Sequence, residues 1–328
     1  MTRKMYNLGA MKFEDIKNAE ELLKPIIRHT HLIKTSFCND CNLYLKPENL
    51  QITGSFKVRG AFHKISKLTE EEKSKGVIAC SSGNHAQGVA LASKMNGIKA
   101  TICMPKTTPN IKVEATKSYG ANVVLVDGVY DDAYEKALEL KEEYGYTFVH
   151  PYNDEDVAIG QGTIGLEIVE ELKNTDIIVT AVGGGGLISG IAFAAKSINP
   201  NIKVYGVEPS GAPSMYASVV NGYVTKLKKV KTFADGIAVK EVGNITLDYV
   251  NKYVDDILTV SDEDILNAIK VMMTKEKIIA EGAGAAPVAA VLKGIIPGIT
   301  KDSNVVCVVS GGNIDIDMLS KIVTKGLD

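Results

Sequence analysis

The sequence predicts an α/β fold in which open parallel β-sheets carry helices on both faces. Short apolar runs rich in β-branched residues alternate with amphipathic or alanine-rich segments along most of the chain, an order typical of such folds. Polar or glycine-rich residues directly follow several of these runs, at the strand ends where such sheets bind ligands. With 328 residues, 45% of them hydrophobic, the chain can bury a large core and is expected to form two lobes.

The individual elements follow from apolar periodicity and from the residues that end it. Gly120 and Gly145 stand where helices end, Pro200 stops another helix, and Ser261 with the acidic residues after it is a strong helix N-cap. The predicted strands are residues 77–80, 100–104, 123–126, 147–149, 177–182, 204–207 and 305–309. The predicted helices are residues 84–95, 111–119, 130–144, 163–172, 187–198, 261–277 and 281–292. Residues 209–242 are expected to be less regular.

Composition and charge argue against several classes of protein. The formal net charge of −2 gives no reason to expect nucleic acid or an anionic membrane as a partner. No apolar run approaches membrane-spanning length, and residues 1–6 lead into no secretory apolar region. The five cysteines fit buried free thiols of a cytoplasmic protein. A structural zinc site on His29, His31, Cys38 and Cys41 is disfavoured, because their spacing matches no familiar zinc finger.

The most specific local feature is a glycine run between an apolar strand and an apolar helix, formed by Gly183, Gly184, Gly185 and Gly186. Without Cβ atoms, these residues can turn sharply and direct several backbone N–H groups at one point. That point is also the positive end of the helix dipole. Because two glycines would suffice for a simple turn, the run is expected to bind a phosphate.

The residues around the run restrict the kind of phosphate. A nucleoside-triphosphate loop would carry Lys-Ser or Lys-Thr after its last glycine, where this chain has Leu187 and Ile188. A dinucleotide site has partial support from Glu208, which ends the following strand. A small, singly phosphorylated cofactor fits best. Lys57, beside Phe56, suggests pyridoxal phosphate held as a Schiff base, because a lysine amine binds this aldehyde.

Four segments together resemble the threonine dehydratase and serine racemase group of pyridoxal-phosphate enzymes. They are residues 55–61 (SFKVRGA), 81–88 (SSGNHAQG), 183–186 (GGGG) and 310–313 (SGGN). The resemblance extends from about Met11 to the chain end, and residues 160–167 and 234–239 are most similar to threonine ammonia-lyases. Many of those enzymes append a regulatory domain, so a chain ending at Asp328 is expected to be a short, catabolic-type enzyme or a trimmed longer one.

The resemblance implies the tryptophan synthase β-like fold, also called fold type II, with two open twisted sheets and flanking helices. Residues 1–52 and 150–328 would form a large cofactor-binding lobe, and residues 53–149 a small lobe that closes over the substrate. A homodimer or homotetramer is expected by the same resemblance. It also allows a nucleotide effector at a subunit interface.

The resemblance also implies a role for each matched residue. Lys57 would carry the cofactor and remove the α-proton of the substrate. The other residues implied to contact the cofactor are Phe56, Asn84, Gly183, Gly184, Gly185, Gly186, Gly236, Glu281 and Ser310. Among them, Asn84 would bond the ring hydroxyl and Ser310 the pyridine nitrogen. The residues implied to receive the substrate carboxylate are Ser81, Ser82, Asn84 and His85.

Ser310 bears on the reaction. A neutral hydroxyl stabilises a protonated pyridinium less than an aspartate would, so the ring is a weaker electron sink and prompt loss of a β-hydroxyl is favoured. The predicted activity is the elimination of water from L-threonine, and hydrolysis of the resulting aminocrotonate then gives 2-oxobutanoate and ammonia. L-Serine would give pyruvate by the same route.

Two alternatives on the same scaffold and one from another class stay open. Ser82 matches the second proton carrier of racemases, so serine racemase with Ser82 as a second catalytic residue is one alternative. Hydroxyaspartate dehydratase is another. A non-catalytic nucleotide- or phosphate-binding protein is the alternative of a different class.

A cation site and two basic residues complete the expectations. Glu208 and Ala212 match the cation-site loop of the racemases, but Ser214 replaces the second acidic ligand. This loss of charge weakens the prediction of a divalent ion and leaves a monovalent one open. Lys46 and Arg59 are expected to be structural or solvent-facing.

Overall fold

The computed structural model describes residues 11–324, in which two β-sheets are flanked by helices. The six-stranded sheet has the order β1-β2-β10-β7-β8-β9, and only the β1–β2 pair is antiparallel. Its strands are β1 Ile33–Lys34, β2 Asn42–Lys46, β7 Ile177–Ala181, β8 Lys203–Pro209, β9 Asp256–Val260 and β10 Asn304–Val308. The four-stranded sheet is all parallel, in the order β5-β4-β3-β6. Its strands are β3 Val77–Cys80, β4 Ala100–Pro105, β5 Asn122–Val126 and β6 Thr147–Phe148.

The helices follow most strands, as the alternating sequence pattern predicts. They are α1 Phe13–Leu23, α2 Lys57–Ser66, α3 Glu70–Lys75, α4 Asn84–Met95, α5 Asn110–Ser118, α6 Tyr130–Tyr144, α7 Glu155–Glu171, α8 Gly186–Ile198, α9 Ser214–Asn221, α10 Asn244–Tyr253, α11 Asp262–Val271, α12 Gly282–Leu292 and α13 Ile316–Thr324. Within the described part of the chain, no helix combines the length and apolar character needed to cross a membrane.

The central strands of the larger sheet are buried on both faces, which explains their continuous β-branched sequences. Every residue of β7 is buried. Ile177 and Val179 pack into one core with α11 and α12, whereas Ile178 packs into another with Ile188 and Ile191 of α8. Because successive side chains of a strand point to opposite faces of the sheet, β7 contributes apolar side chains to the helical layers on both faces.

The helix predicted at residues 163–172 is longer than expected, because α7 begins at Glu155. The side chain of Asp154 caps it by accepting from the Val157 N–H at 3.2 Å. Glycines weaken the helical pattern of this segment, but they are needed for close packing. A Cβ at Gly160 would lie 2.7 Å from the Gly60 Cα of α2, and one at Gly165 would lie 2.8 Å from a backbone oxygen of α8.

Several elements differ from the sequence-based expectation. The stretch expected to be less regular contains α9, and α10 and β9 follow it without having been predicted. The helix predicted to reach residue 277 is α-helical only to Val271, where a π-helical turn takes over until Lys277 adopts a left-handed φ of 60°. In a π-helical turn each N–H bonds the carbonyl five residues earlier instead of four, and the spacing of apolar residues in the sequence does not indicate this change.

The two sheets draw on different parts of the chain. All four strands of the smaller sheet lie between residues 77 and 148, and the larger sheet is built from segments on either side. The lobe limits at 52/53 and 149/150 stay a prediction. The ends of the predicted large lobe, residues 1–10 and 325–328, lie outside the described residues.

Candidate active site

A cavity of about 570 Å³ lies where β3, β7 and β10 end. Its wall includes every residue predicted to contact cofactor or substrate: Phe56, Lys57, Ser81, Ser82, Asn84, His85, Gly183, Gly184, Gly185, Gly186, Gly236, Glu281 and Ser310. The carboxyl ends of parallel strands meet at one edge of a sheet, which explains how segments distant in sequence converge. Glu208 and Ala212 are not part of this wall.

Lys57 begins α2 and carries the amine of the site. Its Nζ donates to the Pro151 carbonyl oxygen at 2.8 Å and lies 5.2 Å from the centre of the Phe56 ring. Burial lowers the pKa of Lys57 to about 8, although the nearby Glu281 carboxylate acts in the opposite direction. A larger neutral fraction near pH 7 makes this amine a better nucleophile and base than a surface lysine.

The glycine run turns the chain from β7 into α8. Gly185 has a φ of 97°, and the carbonyl oxygen of Gly184 accepts from the Thr246 hydroxyl at 2.6 Å. A Cβ at Gly184 would lie 2.1 Å from the Tyr152 ring, and one at Gly185 would lie 2.6 Å from Met215. Only glycine fits here, and the first N–H groups of α8, which lack partners inside the helix, lie at the cavity.

Asn84 and Glu281 form a hydrogen-bonded pair in the wall of the same cavity. Asn84 Nδ2 donates to Glu281 Oε1 at 2.6 Å, and Asn84 Oδ1 accepts from Asn313 Nδ2 at 2.8 Å. Burial, followed by the charge of Asp235, raises the pKa of Glu281 to about 7. Ser310 lines the same cavity, and its backbone oxygen accepts from the Phe56 N–H at 3.1 Å.

The segment after β3 brings hydroxyl groups and the start of α4 to the cavity. Ser82 Oγ lies 2.8 Å from Thr108 Oγ1, and Ser81 Oγ accepts from the Gly83 N–H at 3.2 Å. His85 is buried, with Nε2 2.8 Å from the Val149 carbonyl oxygen. Burial, and then the charge of Lys57, lowers the pKa of His85 to about 3. Its imidazole is therefore neutral, and Nε2 carries the proton that this carbonyl accepts.

Comparison with known proteins identifies the family. Residues 23–311 match the family described as pyridoxal-phosphate dependent enzymes. The chain belongs to this family. An L-threonine ammonia-lyase of Thermotoga maritima is 49% identical over 96% of this chain and 78% of its own length. A catabolic L-threonine dehydratase of Staphylococcus aureus is 47% identical over 96% of this chain and 92% of its own length.

Solved structures of the family share the whole architecture. A maize serine racemase superposes with a TM-score of 0.91 at 35% identity, covering 97% of this chain and 98% of its own. A processed threonine deaminase from Solanum lycopersicum has a TM-score of 0.89 at 39% identity, covering 94% and 92%. These findings confirm the resemblance to the threonine dehydratase group, the fold type II class and the pyridoxal phosphate cofactor. They also show that the chain is an enzyme, so the alternative of a non-catalytic nucleotide- or phosphate-binding protein is wrong.

The cavity of this pyridoxal-phosphate enzyme fits the cofactor by its donor set. Lys57 offers a buried amine, and the side-chain-free turn before α8 offers backbone N–H groups for a phosphate. The wall beside them is closely packed, since a Cβ at Gly236 would lie 3.1 Å from Ala283 and 3.4 Å from Glu281 Oε1. Ser310 would supply a neutral hydroxyl to the ring nitrogen. The individual roles of these residues stay predictions.

Glu208 occupies a different environment from the cavity. Its carboxylate oxygens accept from the N–H groups of Met215 and Tyr216 at 2.8 Å each, in the first turn of α9. Burial raises the pKa of Glu208 to about 7, because those hydrogen bonds offset the cost of ionisation only in part. Ala212, four residues later in the chain, is fully buried. A cation at Glu208 and Ala212 stays a prediction.

Two features of the cavity escaped the sequence analysis. Tyr152 packs against the glycine run, and its hydroxyl donates to the Glu241 carbonyl oxygen at 3.0 Å. Lys112 of α5 pairs with Asp235 at 2.9 Å, and both residues line the cavity. The Pro-Tyr-Asn segment after β6 could have indicated Tyr152. A lysine on a polar helix offers no comparable signal for Lys112.

Arg59 and Lys46 are structural and not solvent-facing. Arg59 is fully buried and bonds the carboxylates of Glu48 and Glu167, while Lys46 donates to Glu167 at 2.5 Å. Burial raises the pKa of Glu167, but Arg59 and Lys46 outweigh it and the net pKa lies below the ordinary value. This network fixes α2, which carries Lys57, against α7.

Proposed function

We propose that this enzyme deaminates L-threonine to 2-oxobutanoate and ammonia, and that it also converts L-serine to pyruvate by the same route. The observation that carries the proposal is the Lys57 amine, with its pKa lowered to about 8, in one cavity with a side-chain-free helix N-terminus. The curated relatives support it, because they are named for threonine deamination and align with almost the whole chain.

The residues divide the work of a β-elimination. When bound, pyridoxal phosphate supplies an aldehyde that condenses with amines and a ring that delocalises charge from the adjacent carbon. Lys57 Nζ takes the proton from the substrate α-carbon, for which its lowered pKa suits it. Ser310, being neutral, leaves the ring nitrogen without a full counter-charge. This favours prompt departure of the β-hydroxyl.

The segment of residues 81–85 receives the substrate carboxylate. Asn84 begins α4, so that backbone N–H groups and the positive end of a helix dipole lie at the cavity. His85 contributes as a neutral, fixed group, because its Nε2 is held by Val149. Closure of residues 53–149 over the substrate would exclude water during the reaction.

Serine racemisation is the second candidate, and Ser82 is the observation that favours it. The Ser82 hydroxyl lies in the cavity and contacts Thr108 Oγ1 at 2.8 Å, a partner through which a proton could be exchanged. Chiral chromatography of serine after incubation separates the candidates. Steady accumulation of D-serine with little pyruvate would favour the racemase. Hydroxyaspartate is tested as a substrate in the same assay.

The remaining proposals concern the surroundings of the enzyme. An amino-acid substrate fits the relatives' names. A homodimer or homotetramer, a nucleotide effector and a cytoplasmic location are carried over from the family resemblance. Light scattering of the purified protein and assays with adenine and cytidine nucleotides test the first two.

The deciding experiment measures keto-acid release and the covalent attachment of the cofactor. The wild-type protein should release 2-oxobutanoate from L-threonine, and borohydride reduction should fix pyridoxal phosphate on the peptide that contains Lys57. Lys57→Ala should abolish both results. Lys67→Ala, an exposed lysine at the end of the same helix, should change neither. Keto-acid release that survives in Lys57→Ala would contradict the proposal.

A further inference from the structure

A cluster of metal-ligating side chains lies on the surface, and none of its members lines the active-site cavity. His29, His31 and Glu171 each place one ligand atom so that all three atoms lie within 4.8 Å of one another. The two histidine rings are 4.5 Å apart in an edge-on arrangement. Of the five histidines in the chain, these two are the exposed ones.

The backbone presents both histidines on the same side. Thr30 between them is buried, its hydroxyl donating to Glu48 Oε1 at 2.5 Å and its carbonyl oxygen accepting from Lys46 Nζ at 2.6 Å. Thr30 is buried and both flanking histidines are exposed, so the anchored residue between them holds His29 and His31 together at the surface.

The distances leave space between the ligand atoms. His31 Nδ1 lies 3.5 Å from Glu171 Oε1, and His29 Nε2 lies 3.8 Å from Glu171 Oε2. These separations exceed a charge-assisted hydrogen bond of about 2.8 Å. Two ligands on a tetrahedral zinc ion, each about 2.05 Å from the metal, lie about 3.4 Å apart. A small movement of the two exposed rings would satisfy that geometry.

The carboxylate is positioned and electrostatically suited to a cation. Glu171 Oε1 accepts from the Leu32 N–H at 2.9 Å, which fixes the end of α7 to this segment. Among residues 11–324, the ion pairs of Glu171 are those with the two histidines, with no lysine or arginine. His29 also turns its other ring nitrogen, Nδ1, towards Glu167 Oε2 at 3.8 Å. A carboxylate behind a ligating imidazole is a common support of zinc sites.

We propose that His29, His31 and Glu171 bind a divalent transition-metal ion of the zinc class, with water in the remaining position. A set of two imidazoles and one carboxylate favours zinc over magnesium or calcium, which bind mainly through oxygen ligands. The bound ion joins the segment before β1 to the carboxyl end of α7. Its expected effect is stabilisation of the folded chain, because the ligands come together only in the native state.

Calorimetric titration of the metal-free holoenzyme with Zn²⁺ tests the site. We expect one Zn²⁺ per chain, with binding at least tenfold weaker in His31→Ala and in Glu171→Gln. The double variant Cys38→Ser and Cys41→Ser should bind as the wild type does. These thiols, 3.5 Å apart, are the other soft ligands of this part of the chain. Zn²⁺ should also raise the melting temperature of the wild type but not of His31→Ala.

Chemical modification of the histidines gives a second readout that depends on neither calorimetry nor thermal unfolding. Diethyl pyrocarbonate should modify His29 and His31, and Zn²⁺ should protect both from it, as peptide mass spectrometry would show. Three results would overturn the proposal: no binding by the wild type below millimolar Zn²⁺, equal binding by wild type and His31→Ala, or loss of binding in the cysteine variant. A circular dichroism spectrum identical to wild type confirms that each variant is folded.

Discussion

At the scale of single residues, the pKa of Lys57 controls the chemistry that the cavity can perform. In the cofactor-free protein, attachment of pyridoxal phosphate requires the neutral amine, whose fraction rises with pH. The attachment rate should therefore reach half of its maximum near pH 8 and not near 10.5, the value of an unperturbed lysine. Stopped-flow absorbance between pH 6.5 and 10 measures it. Glu281→Gln should move the midpoint lower, because the carboxylate raises the pKa of Lys57.

The control for this prediction is a carboxylate away from the cavity. Glu114→Gln, on the exposed face of α5, should leave the midpoint unchanged. Glu281→Gln also alters the cavity wall and can slow attachment at every pH, so the midpoint and not the maximal rate is the readout. A midpoint near 10.5 in the wild type would show that the amine is well hydrated and that burial does not tune it.

At the scale of elements, Glu208 links the end of β8 to the start of α9. Its pKa is raised from 4.5 to about 7 in the folded protein, so the folded state holds this proton more tightly than the unfolded chain. The resulting stability is present below pH 4.5 and is lost as the pH rises through 7. The free energy of unfolding of the wild type should thus fall relative to Glu208→Gln, by about 3 kcal/mol at most.

Urea unfolding of both proteins at several pH values between 4.5 and 8 measures this difference. Taking the difference removes every other titrating group, since those groups remain in Glu208→Gln. If the wild type instead gains stability over the variant as the pH rises, the ionised carboxylate is the favoured form. A cation bound at Glu208 and Ala212 would produce that opposite sign, so the same experiment bears on the predicted cation site.

The elements also show which parts of this molecule could be predicted from sequence. Strands buried on both faces, such as β7, are continuous apolar runs, and α6 carries a clear amphipathic pattern; both were predicted closely. The first half of α7 was not, because its glycines serve contact with α2 and α8 and lower its helical propensity. α9, of eight residues, was missed because it lies in the stretch expected to be less regular, and α10, which follows that stretch, was missed because Gly243 at its N-cap supplies no capping side chain.

The candidate site was more predictable than the elements around it. Segments that follow parallel strands must meet at one edge, so residues 81–85, 183–186 and 310–313 could be placed together without coordinates. Contacts made across the cavity carry no such rule. Tyr152 against the glycine run and Lys112 with Asp235 depend on how the two sheets face each other, which strand patterns do not encode.

At the scale of the whole molecule, the Lys112–Asp235 pair connects segments associated with the two sheets. Lys112 lies on α5, beside the smaller sheet, and Asp235 lies after α9, in a segment that packs on the larger one. Their side chains meet at 2.9 Å at the cavity, with Asp235 largely exposed. If residues 53–149 close over the substrate, this pair holds the closed arrangement. An exposed pair of this kind contributes up to about 1 kcal/mol.

Charge reversal tests this role through steady-state kinetics with L-threonine. Lys112→Glu and Asp235→Lys should each raise KM by up to about fivefold, since 1.4 kcal/mol corresponds to a factor of ten, while the double reversal should recover most of the loss. Lys106→Glu breaks the exposed pair with Asp127, within residues 53–149, and should leave KM unchanged. If the increase in KM of the double variant equals the combined effect of the two single variants, the two residues act separately on the substrate. If the double reversal restores KM and no variant changes kcat, the pair stabilises the closed arrangement, because a group that contacts the reacting atoms would change kcat as well.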